Sequence, residues 1–164
     1  MSKIREKNHR LPTEAYRGFV RAAFTAKLDR NQPFFVTEDR FKEQELFLLR
    51  ALRELQCESE LYLFMPDHLH VIITGTSLES DCRSAMAKFK QYSGYAFSQQ
   101  HQLAKWQKDF YDHIFRQEED LRNHMVYILN NPIRAGLCES WDDYLYKGST
   151  VFDVRTFGKG NRNL

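Results

Sequence analysis

The stretch YLFMPDHLHVIITG, Tyr62 to Gly75, decides how the chain is read. Two apolar runs flank a break at Pro66-Asp67, the pattern of two short strands joined by a tight turn. The first run reaches back to Glu60, and the second ends near Gly75 with enough apolar residues to require burial on at least one face. His68 and His70 stand on either side of Leu69. Side chains two apart on a strand share a face at roughly 6 to 7 Å, so both imidazoles can meet one ion while Leu69 turns into the core. The plainer reading is a pair of hydrogen-bonded or solvated histidines at a hairpin end, and H-x-H taken alone favours it. With no cysteine pair and no second histidine pair at zinc spacing, a structural zinc site is not indicated.

Working outward, YRGFVRAAFTAKL (Tyr16 to Leu28) reads as a long strand or hairpin arm, and DRNQP turns the chain. Thr37 is an N-cap candidate, followed by acidic residues and by Leu48, Leu49, Leu52 and Leu55 at helical spacing. After the hairpin, Leu78 to Gln99 predicts a second helix capped by Ser77, and KDFYDHIFR (Lys108 to Arg116) a strand. EEDLRNHMVYILNNP predicts a third helix ended by Pro132 through its effect on the preceding residue. The order is β-α-β-β-α-β plus an additional α, which predicts an α+β fold with a ferredoxin-like, RRM-like antiparallel sheet. Helices are expected on one face, with a further C-terminal helix carrying the tyrosine discussed below. That fold serves many functions, so the site must decide.

The 164 residues suit one domain. No apolar run approaches the ~20 residues that span a bilayer, and the basic start MSKIREKNHRLP lacks the apolar segment of a secretory signal. The expectation is a soluble protein, cytoplasmic by default. Cys57, Cys82 and Cys138 are odd in number and widely spaced, which reads as buried or idle thiols. The formal net charge of only +2 leaves a polyanion site to a local patch, for which the basic termini are candidates.

On the third helix, Leu121, Met125, Ile128 and Leu129 form one stripe, the natural core face. His124, Tyr127 and Asn131 form a second stripe roughly 90° away. That border is suited to an active-site wall, although a core-edge Tyr and a helix-ending Asn are the commoner use of such residues. A phenol with a pKa near 10 is a poor nucleophile unless it is deprotonated or its target is polarised. A divalent cation on a phosphate polarises it, and attack by tyrosine would give a phosphotyrosine that keeps the ester's energy for rejoining strands. A metal hydrolase that activates water at the histidine pair is the rival chemistry, and it forms no covalent adduct.

Together, MPDHLHVII and WQKDFYDHIFRQEEDLRNHMVYILNNPIRAGL resemble the single-tyrosine HUH transposases (His, hydrophobic residue, His), above all their REP-associated tyrosine transposase branch. The ordered set P-D-H-L-H, F-x-x-H-x-x-R and Y-I-x-x-N-P-x-x-A-G-L carries the resemblance, which covers residues 16–146. Residues 1–15 are then a basic leading segment and residues 147–164 a basic tail. The resemblance implies that His68 and His70 are metal ligands, Asn131 completes the set, and Tyr127 is the nucleophile. It also implies Mg²⁺ or Mn²⁺ as cofactor, and single-stranded DNA with hairpins as partner. The expected activity is a site-specific endonuclease and strand transferase with a 5′-phosphotyrosine intermediate. The setting would be a bacterial-type cytoplasm at the nucleoid, with the protein a monomer or homodimer. A domesticated relative that binds hairpin nucleic acid without cutting is the alternative. Asn130 departs from the aromatic or histidine common in relatives. His113, Arg116, His124 and Arg134 are candidates for DNA contact or for supporting the site.

Overall fold

The hairpin forms where the alternation demands it. In the computed structural model, which describes residues 11–100 and 104–159, strands β2 (Cys57–Met65) and β3 (His68–Gly75) pair antiparallel with Met65 opposite His68. Residues 1–10 and 160–164 of the basic termini lie outside the described residues. The turn is pinned by its carbonyls. Leu28 N–H donates to Asp67 O at 2.8 Å, and Phe34 and Phe35 N–H donate to Pro66 O at 2.7 and 3.0 Å. The start of β3, and with it His68, is therefore fixed by backbone from two other segments.

β1 (Arg21–Lys27) pairs with the far edge of β3, setting Thr25 opposite His70 and Lys27 opposite His68. β4 (Tyr111–Phe115) adds to β1, and the short β5 (Lys147–Gly148) adds to β2. The sheet order is β4-β1-β3-β2-β5, antiparallel throughout. Gly75 ends β3 where a Cβ would stand 1.9 Å from the Gly18 carbonyl oxygen, so only glycine admits that approach.

Alternation along the strands divides the apolar residues between two cores. Helices α1 (Glu38–Glu54) and α2 (Cys82–Gln100) cover one face, where Phe24, Phe64, Leu69 and Val71 meet Leu48 and Phe89. Helix α3 (Glu118–Arg134) covers the other, where Leu121, Met125, Ile128 and Leu129 meet Ala23, Leu63 and Ile72. A register shift between Ser59 and Leu61 brings Leu61, Leu63 and Met65 onto the α3 side. The expected mixed α+β class with an antiparallel sheet is the one observed. No helix among the described residues is long and apolar enough to cross a membrane. Cys57 and Cys82 are buried, Cys138 is half-buried, and all three are free thiols.

Three expected boundaries are corrected. The first strand begins at Arg21 rather than Tyr16, because a short 3-10 turn over Thr13–Tyr16 and Gly18 at φ +81° redirect the chain first. α2 begins at Cys82, not Leu78, and its cap is Asp81: Ser84 N–H donates to Asp81 Oδ1 at 2.9 Å. Ser77 instead helps to build a polar turn with Ser80 and Gln56. α3 does not stop at Pro132 but runs through it to Arg134. Its end is made by Gly136 at φ +74°, with Gly136 N–H on Ile133 O at 3.0 Å and Leu137 N–H on Pro132 O at 2.9 Å. Pro132 costs the helix one donor yet still supplies an accepting carbonyl to this terminal motif.

Candidate active site

The α3 core stripe holds the helix against the sheet, and that contact presents its next stripe to the open end of β3. His68 and His70 project on the α3 side while Leu69 is buried under α1 and α2. The two Nε2 atoms are 3.1 Å apart, and Asn131 Nδ2 lies 2.7 Å from His70 Nε2. The rings of His70 and Tyr127 are 6.5 Å apart, centroid to centroid. Tyr127 itself is 52% exposed beside the histidine pair.

Proton placement in this cluster follows from donor chemistry. Arg134 Nη2 approaches Asn131 Oδ1 at 2.6 Å, and a guanidinium only donates, so the amide oxygen faces Arg134 and the amide nitrogen faces His70. His70 Nε2 is then the acceptor, and Nδ1–H donates to Thr25 Oγ1 at 3.0 Å. His68 Nδ1–H donates to Asp67 Oδ1 at 2.6 Å, and this carboxylate acceptor orients the ring. His70 Nε2 thus accepts from the Asn131 amide with His68 Nε2 3.1 Å away, so a cation that displaced the amide N–H would meet both nitrogens.

The residues fit a divalent ion there. Two ligands ~2.1 Å from a cation at right angles stand roughly 3 Å apart, which matches the Nε2 separation. The third ligand would be Asn131, whose amide must turn and leave Arg134 to offer oxygen. Among the described residues no group of three or more His, Cys, Asp or Glu could hold a metal, so an amide oxygen is what would complete the set. Burial drives the His70 pKa down to about 3, and the positive partners His68, His124, Lys27 and Arg134 push the same way. His70 is thus held neutral, the form that ligates metal.

Arg134 also lies over the Tyr127 ring, 4.6 Å from its centroid, and donates to the Tyr127 carbonyl at 3.1 Å. His124 sits beside Tyr127 with ring centroids 5.8 Å apart, and near His113 at 6.5 Å. Burial and His113 depress the pKa of His124. Arg116 is not part of this cluster: it lines a neighbouring groove with Tyr16, Asp112 and His113. Asn130 accepts from Trp141 Nε1 at 2.8 Å, fastening the segment after α3. Sequence reasoning missed Thr25, Asp67 and Lys27. Asp67 adjoins His68 and was legible as its carboxylate partner, but Thr25 and Lys27 become neighbours only through the β1–β3 register.

No protein-family model matches the chain. It is 25% identical over 127 residues to the REP-associated tyrosine transposase of Escherichia coli (strain K12), spanning 70% of this chain and 75% of that protein. It is 27% identical over 100 residues to a putative REP-associated tyrosine transposase of Haemophilus influenzae (strain Rd), spanning 54% of this chain and 57% of that protein. A solved structure of a REP-associated tyrosine transposase bound to a REP hairpin matches with a TM-score of 0.71 at 22% identity, over 97% of this chain and 84% of that one. The antiparallel sheet, with α1 and α2 on one face and α3 on the other, thus shares the fold of that transposase. Both relatives are described as REP-associated tyrosine transposases, one of them as putative, and the chain is similar to that group, as its motifs implied.

Proposed function

We propose that the chain is a site-specific single-stranded DNA endonuclease and strand transferase that cuts beside hairpins through Tyr127. The observation that carries this reading is the exposed Tyr127 standing over the His68, His70 and Asn131 cluster. The hairpin partner is supported by the matching structure of a transposase bound to a REP hairpin.

In this reading His68, His70 and Asn131 would hold Mg²⁺ or Mn²⁺, which would supply Lewis-acid polarisation of the scissile phosphate. The rest falls to the chain's own groups. Tyr127 Oη attacks phosphorus, the Oη–P bond forms, and the P–O3′ bond breaks. The phenol proton is released, and the departing 3′ oxygen is protonated to a free 3′-OH. The product is a 5′-phosphotyrosine that a 3′-OH can reverse or redirect. Arg134, stacked on the ring, offsets negative charge at the phenol and phosphate. Lys27 adds positive charge from β1, opposite His68.

The test is incubation with single-stranded DNA bearing the hairpins that flank the gene, with Mg²⁺ or Mn²⁺, followed by denaturing electrophoresis. The expected result is a protein-DNA adduct that is absent in Tyr127→Phe, weakened in His68→Ala and suppressed by chelator. Cleavage that persists in Tyr127→Phe contradicts the tyrosine mechanism. Hairpin binding without any cleavage would instead favour the binding-only relative.

A further inference from the structure

Beside Tyr127 the structure contains a second feature that the cutting chemistry does not use. His113 on β4 and His124 on α3 present rings only 22° from parallel, with centroids 6.5 Å apart. Phe115 meets both rings closer to edge-on, at 5.0 and 5.3 Å, and packs into the α3 core, so it forms the floor between two walls. His113, Phe115, His124 and Tyr127 line one open groove, with Asp120 and Asn123 at its rim.

We propose that this groove is a nucleobase subsite: one unpaired base of the DNA strand inserts between His113 and His124, beside the phosphate presented to Tyr127. The proposal rests on the single-strand reading above and names how the strand is held. Bases in a strand stack at about 3.4 Å, so two rings that sandwich a base have centroids roughly 7 Å apart, and the centroids of His113 and His124 are 6.5 Å apart. His124 adjoins Tyr127, so a base held there lies about one nucleotide from the reacting centre. Asp120 and Asn123 offer an acceptor and an amide to the base edge, the groups with which proteins tell bases apart. Charge suits a strand on this path, with Arg116 in the adjoining groove on one side and Arg134 over Tyr127 on the other. A duplex does not fit, because a paired base cannot enter a slot between rings.

The test uses a 12-nucleotide oligodeoxythymidine with one central 2-aminopurine, whose fluorescence is quenched by stacking. Binding is followed by anisotropy with no metal added. The expected result is quenching by the native protein and no quenching with the same oligonucleotide in duplex. Alanine substitution of a stacking residue typically weakens single-strand binding by roughly 5- to 100-fold, and that loss is expected for His113→Ala and His124→Ala. His113→Phe and His124→Phe should restore both quenching and affinity. His113 is exposed, so its variants leave the core intact. Unchanged quenching in both alanine variants overturns the subsite, as does failure of the phenylalanine variants to restore it. An adduct assay in parallel separates the two claims. A normal Tyr127 adduct without quenching overturns the subsite alone, whereas quenching without any adduct upholds the subsite and overturns the cutting mechanism.

Discussion

The two faces of the sheet do opposite work, and β3 belongs to both. On the α1 and α2 side, Phe24, Phe35, Phe64, Phe89 and Phe97 are essentially inaccessible, and Trp106 stacks on Phe35 at 5.6 Å. The buried polar groups there are satisfied, with Trp106 Nε1–H donating to Ser93 Oγ at 2.8 Å and Ser93 donating to Gln44 at 2.5 Å. On the α3 side, apolar packing occupies part of the face. Beyond it lie Thr25, His68, His70, Tyr127 and Asn131, joined through His70 by hydrogen bonds and ring contacts, with Lys27 opposite His68 on β1. One strand with a period of two serves as core on one side and as a chemical surface on the other. The stable face holds the reactive face in register.

The sharpest way to break this division is to exchange effects between the faces. Phe64→Ala should cost about 3 to 5 kcal/mol of stability in denaturant unfolding, with adduct formation per folded molecule retained. Tyr127→Phe should do the reverse, abolishing the adduct while the unfolding free energy changes by no more than ~0.5 kcal/mol. Thr25→Val removes the acceptor that fixes the His70 tautomer. Calorimetric Mn²⁺ titration should then show affinity 10- to 100-fold weaker, the usual range for such a supporting group.

Arg134→Ala frees the Asn131 oxygen from its present partner. Metal affinity in the absence of DNA should rise roughly 10-fold, about 1.4 kcal/mol, the scale of one hydrogen bond to a charged group, while adduct formation falls. Unchanged metal affinity would show that Arg134 does not hold the amide. Stability also depends on pH through His70. His70 has a folded pKa of about 3, below the unfolded value of about 6.5, so the unfolded chain binds the extra proton between them. In metal-free buffer this contribution is intact above about pH 6.5 and is lost as pH falls toward 3, by at most ~1.4 kcal/mol per unit. His70→Gln should flatten that slope.

Much of this division was written in local sequence. Pro66-Asp67 between two apolar runs announced the hairpin, Thr37 announced α1 and accepts from Arg40 N–H, and the α3 stripes announced which side would touch the sheet. What was not legible depended on partners distant in the chain. Gly18, at positive φ, and the capping Asp81 move the starts of β1 and α2 through contacts between them, including Gly18 N–H on Ser80 O at 2.8 Å. The helix passes Pro132 because the glycine four residues later supplies a better stop. Thr25 and Lys27 depend on the β1–β3 register, and the His113–His124 pair on the β1–β4 register and the docking of α3, which no local pattern encodes.

The central claim is that Tyr127 forms the covalent bond to DNA. Its most direct test is to react the protein with single-stranded flanking DNA and Mn²⁺, digest both components, and locate the nucleotide-bearing peptide by mass spectrometry. The expected result is the added nucleotide on Tyr127, with a free 3′-OH on the released strand. A nucleotide mapped to another tyrosine, or strand cleavage with no modified peptide, would contradict it.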